Sequence, residues 1–102
     1  MRIMTATIVT ALMLTTAPML SVAGDAAKGE SKSGDCVGCH GRGGHSSNPM
    51  YPNLAGQQAA YLEKAIKAYK DGSRKDAMMS AMVSGLSDAD IADLAAYYAS
   101  VK

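Results

Sequence analysis

Apolar residues keep helical spacing through the second half of this chain and lose it in the middle. Ile91, Leu94, Ala95 and Tyr98 stand at i, i+3, i+4 and i+7, the stripe of a helix that runs to about Ser100. Ser87, followed by Asp90, resembles an acidic version of a capping box at its start. Upstream, Ala60, Tyr61, Leu62, Ala65, Ile66 and Tyr69 hold a helical period between Gln57 and Asp71, with Gly72 as the stop. The polar turn Ser73-Arg74-Lys75-Asp76 leads into the methionine-rich run Ala77 to Val83, and Gly85 follows it.

Asp25 to about Ser33 predicts a short helix, because an acidic residue at its start suits the positive end of the helix dipole. Gly29 inside it costs about 1 kcal/mol against alanine. Either another helix approaches closely there, or the glycine is a tolerated surface residue. Residues 41–56 contain Gly41, Gly43, Gly44, Pro49, Pro52 and Gly56 and predict irregular chain. Loops that long in so small a domain usually wrap around something. No alternating strand is present, so the expected fold class is all-α, with three to four short helices.

The first residues have a different character. Arg2, the mostly apolar stretch Ile8 to Leu20 and the small residues of Ser21-Val22-Ala23 form the pattern of a secretory signal. The expectation is a cleaved signal peptide over residues 1–23 and one exported domain over residues 24–102. An uncleaved membrane anchor is the alternative, but five threonines dilute the run and Pro18 stands near its end. No second stretch reaches spanning length, so the mature form is expected not to span a membrane. A domain this short buries little surface and generally needs a metal, disulfides or a cofactor.

Charge narrows the partners. Ten Lys and Arg face nine Asp and Glu, a formal net charge of +1, and Arg2 falls in the leader. Nucleic-acid binders normally carry a basic excess, so that class is excluded. Lys64, Lys67, Lys70, Arg74 and Lys75 cluster mid-chain, while Asp88, Asp90 and Asp93 crowd the last helix. They form either a dipole for steering a partner or ordinary complements to helix ends.

The chemistry is concentrated in Cys36-Val37-Gly38-Cys39-His40, the C-x-x-C-H pattern of covalent c-type haem attachment. Thiols three residues apart lie about one helical turn from each other, so both can add to the vinyl groups of one porphyrin. The adjoining histidine then sits under the iron. A thioredoxin-type pair would need a βαβ scaffold, and a structural zinc site using His45 would need a wider gap between cysteines and histidines. A disulfide between the cysteines would leave His40 unexplained. One haem c, held through Cys36 and Cys39 with His40 as axial ligand, accounts for all five residues. For the sixth position the candidates are His45, Met50, Met78, Met79, Met82, a water or nothing, and periodicity does not choose among them.

Five stretches then carry a resemblance: Cys36 to His40, Pro52-Asn53-Leu54-Ala55-Gly56-Gln57, Tyr69-Lys70-Asp71-Gly72-Ser73-Arg74, Met78-Met79, and Leu86-Ser87-Asp88 through Ala96-Tyr97-Tyr98. In this order the chain resembles the small bacterial class I cytochromes c, especially one half of the periplasmic di-haem type. The resemblance implies the cytochrome c fold wrapped around one haem. It makes Met79, seven positions before Leu86, the distal ligand. It has the Pro52 carbonyl accept the second ring proton of His40, and packs Leu54 on that face of the haem. It also pairs Gly29 with Tyr97 where first and last helices cross. One departure is Ser33, where the family often has an aromatic residue; the chain contains neither Phe nor Trp.

With His40 and Met79 filling both axial sites, the expected function is electron transfer between Fe(III) and Fe(II), without catalysis. Partners would be redox protein donors and acceptors, met transiently. The alternatives are a haem subunit of a larger oxidoreductase, and a gas-binding sensor or enzyme with an open sixth site.

Overall fold

The computed structural model describes residues 24–102 and, ahead of them, residue 8 and residues 10–12. Apart from those few positions, the leader expected over residues 1–23 lies outside the described residues. Five α-helices and one 3-10 turn follow, and no strand is found among the described residues: α1 (Ala26–Lys32), α2 (Gly34–His40), the turn (Arg42–Gly44), α3 (Ala59–Asp71), α4 (Ala77–Val83) and α5 (Asp88–Ser100). The pattern counts three to four helices because the cysteine segment follows α1 with only Ser33 between them. It nevertheless forms a helix of its own.

Three of the five helices, α1, α4 and α5, begin where a side chain satisfies their free amides. Asp25 accepts from the N–H groups of Ala27 and Lys28, and Asp76 from those of Met78 and Met79. At α5 both halves of the capping box are made: Ser87 Oγ accepts from Asp90 N at 3.1 Å, and Asp90 Oδ2 from Ser87 N at 3.0 Å. Ile91, Leu94, Ala95 and Tyr98, the expected stripe, are all buried. In α3 the inward residue is Leu62, with Ala65, Ile66 and Tyr69 half-buried beside it, while Tyr61 turns outward.

Leu62, Leu94, Ala95 and Tyr98 make the core, and Cys36, Leu54, Ala59, Leu86 and Tyr97 pack against it. Burying one such large side chain contributes about 1.5–3 kcal/mol, and few do so here.

The closest packing joins α1 to α5. A Cβ at Gly29 would lie 1.9 Å from the Asp93 carbonyl oxygen and 2.7 Å from Tyr97 Cβ, so only glycine lets the two backbones meet. Gly24 is pressed in the same way against Ala92. Polar contacts lock the crossing: Asp25 N donates to Asp93 Oδ1 at 2.8 Å, and Lys32 Nζ bridges Asp93 at 2.6 Å and Asp90 at 2.7 Å. Lys32 holds both carboxylates below their usual range, Asp90 at about 2, with the Ser87 N–H and hydroxyl adding to that shift. Two of the three acids considered for steering a partner are therefore engaged within the fold.

The basic run is also partly engaged. Lys67 pairs with Glu63 at 3.5 Å, Lys70 donates to the Leu86 carbonyl, and Arg74 lies over the Tyr69 ring at 4.7 Å. No helix among the described residues is long and apolar enough to cross a membrane.

Candidate haem site

Helix α2 carries both cysteines and ends on the histidine. Cys36 and Cys39 are free thiols, each half-buried, and Val37 between them is 38 % exposed. Burial pushes the Cys36 thiol up. His40 is 6 % exposed. Its Nδ1 donates to the Pro52 carbonyl oxygen at 2.9 Å. A carbonyl can only accept, so this bond fixes the tautomer: Nδ1 holds the proton, and Nε2 keeps a lone pair for a metal.

The loop that supplies Pro52 is held by the 3-10 turn. Leu54 N and Ala55 N both donate to the Gly44 carbonyl, at 2.8 and 3.2 Å. Gly44 has φ +79°, and a Cβ there would lie 2.8 Å from the Tyr98 ring and 2.9 Å from Leu54 Cβ. Any larger residue would push the loop off the core and carry Pro52 away from the histidine. Leu54 is half-buried against the core. Cys36, His40, Pro52 and Leu54 thus form one connected wall.

The methionines stand elsewhere. Helix α4 packs against α3, which in turn packs on α5. Met79 is half-buried, whereas Met78 and Met82 are 57 % and 47 % exposed. Met50 is 81 % exposed in the loop. His45 is exposed, and its Nε2 donates to the Lys102 carbonyl at 3.0 Å. Of the distal candidates, Met79 is the one turned inward from α4.

These residues fit a c-type haem. Two thiols one turn apart, a buried imidazole with its tautomer set by a carbonyl, and an inward thioether on a separate helix are the donor set such a group uses. No cluster of three or more His, Cys, Asp or Glu able to hold a metal ion is found among the described residues. Sequence reasoning missed Gly44 and the Tyr98 carbonyl, which accepts from Gly56 N at 2.9 Å and so anchors the loop after Pro52. The signal for Gly44 was its place beside Gly43 just after the motif. Tyr98 was visible only as a core position.

The family profile described as Cytochrome c matches residues 26–102. The chain is 62 % identical over 81 residues to cytochrome c-554(548) of Halomonas halodenitrificans, covering 76 % of this chain and 98 % of that one. It is 49 % identical over 80 residues to cytochrome c4 of Pseudomonas aeruginosa, covering 78 % of this chain but 40 % of the relative. Among solved structures, reduced recombinant cytochrome c4 from Pseudomonas stutzeri superposes with a TM-score of 0.75 at 43 % identity, covering 78 % of this chain and 47 % of that one. The chain therefore spans nearly the whole of the first relative and less than half of the cytochrome c4 chains, resembling one domain of a di-haem protein.

Proposed function

Because this chain belongs to the cytochrome c family, we propose that its residues 24–102 work as a periplasmic carrier of single electrons with His40 and Met79 as axial ligands. One c-type haem is attached covalently through Cys36 and Cys39, and when bound it supplies the iron that alternates between ferric and ferrous states. The chain supplies orientation, ligands and exclusion of water. Pro52 holds the His40 ring at one angle, so that little rearranges when the charge of the site changes. Leu54 covers the same side. The soft thioether of Met79 favours ferrous iron and raises the potential, as does burial. With both axial positions taken by side chains, no substrate reaches the metal, and electron transfer is what remains.

The observation that carries this reading is the buried His40 ring, donating from Nδ1 to Pro52 and leaving Nε2 for the metal. Residues 1–23 serve as the export signal and are removed. Redox proteins meet the carrier transiently beside the exposed Val37, over an area small enough for fast release.

Absorption spectra of the purified protein in both oxidation states, with its mass, test the assignment. The mass should exceed that of the polypeptide by one haem. The ferric form should show the weak long-wavelength band of methionine ligation, and Met79→Ala should lose it entirely. If the band persists in Met79→Ala, the distal assignment passes to Met78 or Met82.

A further inference from the structure

The stretch Tyr69-Lys70-Asp71-Gly72-Ser73-Arg74 joins α3 to α4, and its backbone turns back on itself. Gly72 ends α3 in the left-handed region, at φ +88°, and the N–H groups of Gly72 and Arg74 both donate to the Ala68 carbonyl, at 3.1 and 3.0 Å. Ser73 ties the same turn to Asp71, its N–H donating at 2.8 Å and its hydroxyl at 2.6 Å. This return brings the Arg74 guanidinium over the Tyr69 ring, 4.7 Å from its centroid. Asp76 then starts α4, accepting from Met78 N at 3.1 Å and Met79 N at 2.9 Å.

The far end of α4 is tied to the same place. Leu86 N donates to the Val83 carbonyl at 3.1 Å, and the Leu86 carbonyl accepts from Lys70 Nζ. Leu86 itself packs against the core. Arg74 precedes α4 and Leu86 follows it, so the helix that carries Met79 hangs between two contacts that end on neighbouring residues of α3, Tyr69 and Lys70. Val83 is the one buried residue of α4, and these contacts therefore act where apolar packing is thin.

We propose that Arg74 on Tyr69 and Lys70 on Leu86 are two clasps that hold α4 closed against α3, keeping Met79 at the sixth position and other ligands away from it; the proposal rests on the Met79 reading above. Arg74 and Lys70 are thus positioning residues that act through the distal methionine. An outside ligand reaches the sixth position only when the thioether has left it. Its apparent affinity is then the intrinsic one multiplied by the fraction of molecules with α4 open. Weakening either clasp raises that fraction, whereas a side chain that stabilises only the domain as a whole leaves it unchanged.

The test is titration of the ferric holoprotein with imidazole, read by loss of the methionine band, beside guanidinium unfolding of the same variants. Arg74→Gln removes the stacked cation and should raise imidazole affinity about two- to fivefold, the value of an exposed cation–ring contact. Tyr69→Phe keeps the ring and should match wild type. Tyr69→Leu should raise the affinity as Arg74→Gln does, and the two together should go no further than either alone. Lys70→Met keeps the apolar stem, removes the donor to Leu86 and should raise the affinity about twofold or more. Imidazole affinities of Arg74→Gln and Lys70→Met equal to wild type overturn the proposal, whether or not the unfolding midpoint falls. Additive effects of Arg74→Gln and Tyr69→Leu overturn it as well, since the two would then not act through one contact. A wild-type protein with no methionine band to displace would instead overturn the Met79 reading, and the proposal with it.

Discussion

The two sides of the site are built differently. On the histidine side, α1, α2, the 3-10 turn and α5 are pressed together with backbones in contact at Gly24, Gly29 and Gly44. No buried side-chain nitrogen or oxygen among the described residues lacks a hydrogen-bond partner. On the methionine side, α4 rests on α3, and Val83 is its one fully buried residue. The histidine is buried and oriented by the Pro52 carbonyl, whereas Met79 stands on a short helix with little packing of its own.

Substitutions on the two sides should therefore differ in kind. Gly29→Val forces a side chain into the α1–α5 backbone contact and should cost at least about 3 kcal/mol, read by guanidinium unfolding of the holoprotein. Loss of holoprotein altogether would be the extreme form of the same result. Val83→Ala empties the one buried position of α4 and should cost about 2 kcal/mol, weakening the methionine band before far-UV circular dichroism changes. If its cost equals that of Gly29→Val, the two sides form a single unit and the contrast fails.

Smaller effects sharpen the contrast further. Ser87→Ala removes one half of the capping box and should cost about 1 kcal/mol, without altering the spectrum. The acid response should be smaller still. Lys32 and Ser87 lower the Asp90 pKa from 3.8 to about 2, and Lys32 with Asp25 N lowers that of Asp93. Because the folded values lie below the unfolded ones, this contribution is complete above about pH 4 and is lost as pH falls through about 2. Thermal unfolding of Lys32→Met should show a shallower acid limb than wild type. Parallel limbs would mean that the bridge between α1 and α5 contributes nothing.

Much of the histidine side was legible in the sequence because its signals are local. The stripe Ile91, Leu94, Ala95 and Tyr98 and the pair Ser87 and Asp90 lie within a few residues of each other, and both features appear as expected. The five residues from Cys36 to His40 state their own chemistry. The close approach at Gly29 was one of two readings of a costly helical glycine, and the family resemblance, not helix propensity, favoured it. The methionines were ambiguous because three of them share a short helix, and which one turns inward depends on how that helix sits on α3. Asp93 looked like a surface acid. Its contacts with Asp25 and Lys32 lie 68 and 61 residues away and have no local trace.

Those separations also govern how the chain finds its fold. Pairing α1 with α5 closes a loop of more than sixty residues, and every other helix, with the haem attachment segment, lies inside it. The entropy of closure grows only with the logarithm of loop length, about 0.6 kcal/mol per doubling, so the stability lost to this topology is modest. The rate is affected more, because contacts distant in sequence slow folding far more than helix formation does. Refolding should therefore wait on the meeting of the first and last described helices. In native-state hydrogen exchange these two should open together and last, after α4 has opened on its own.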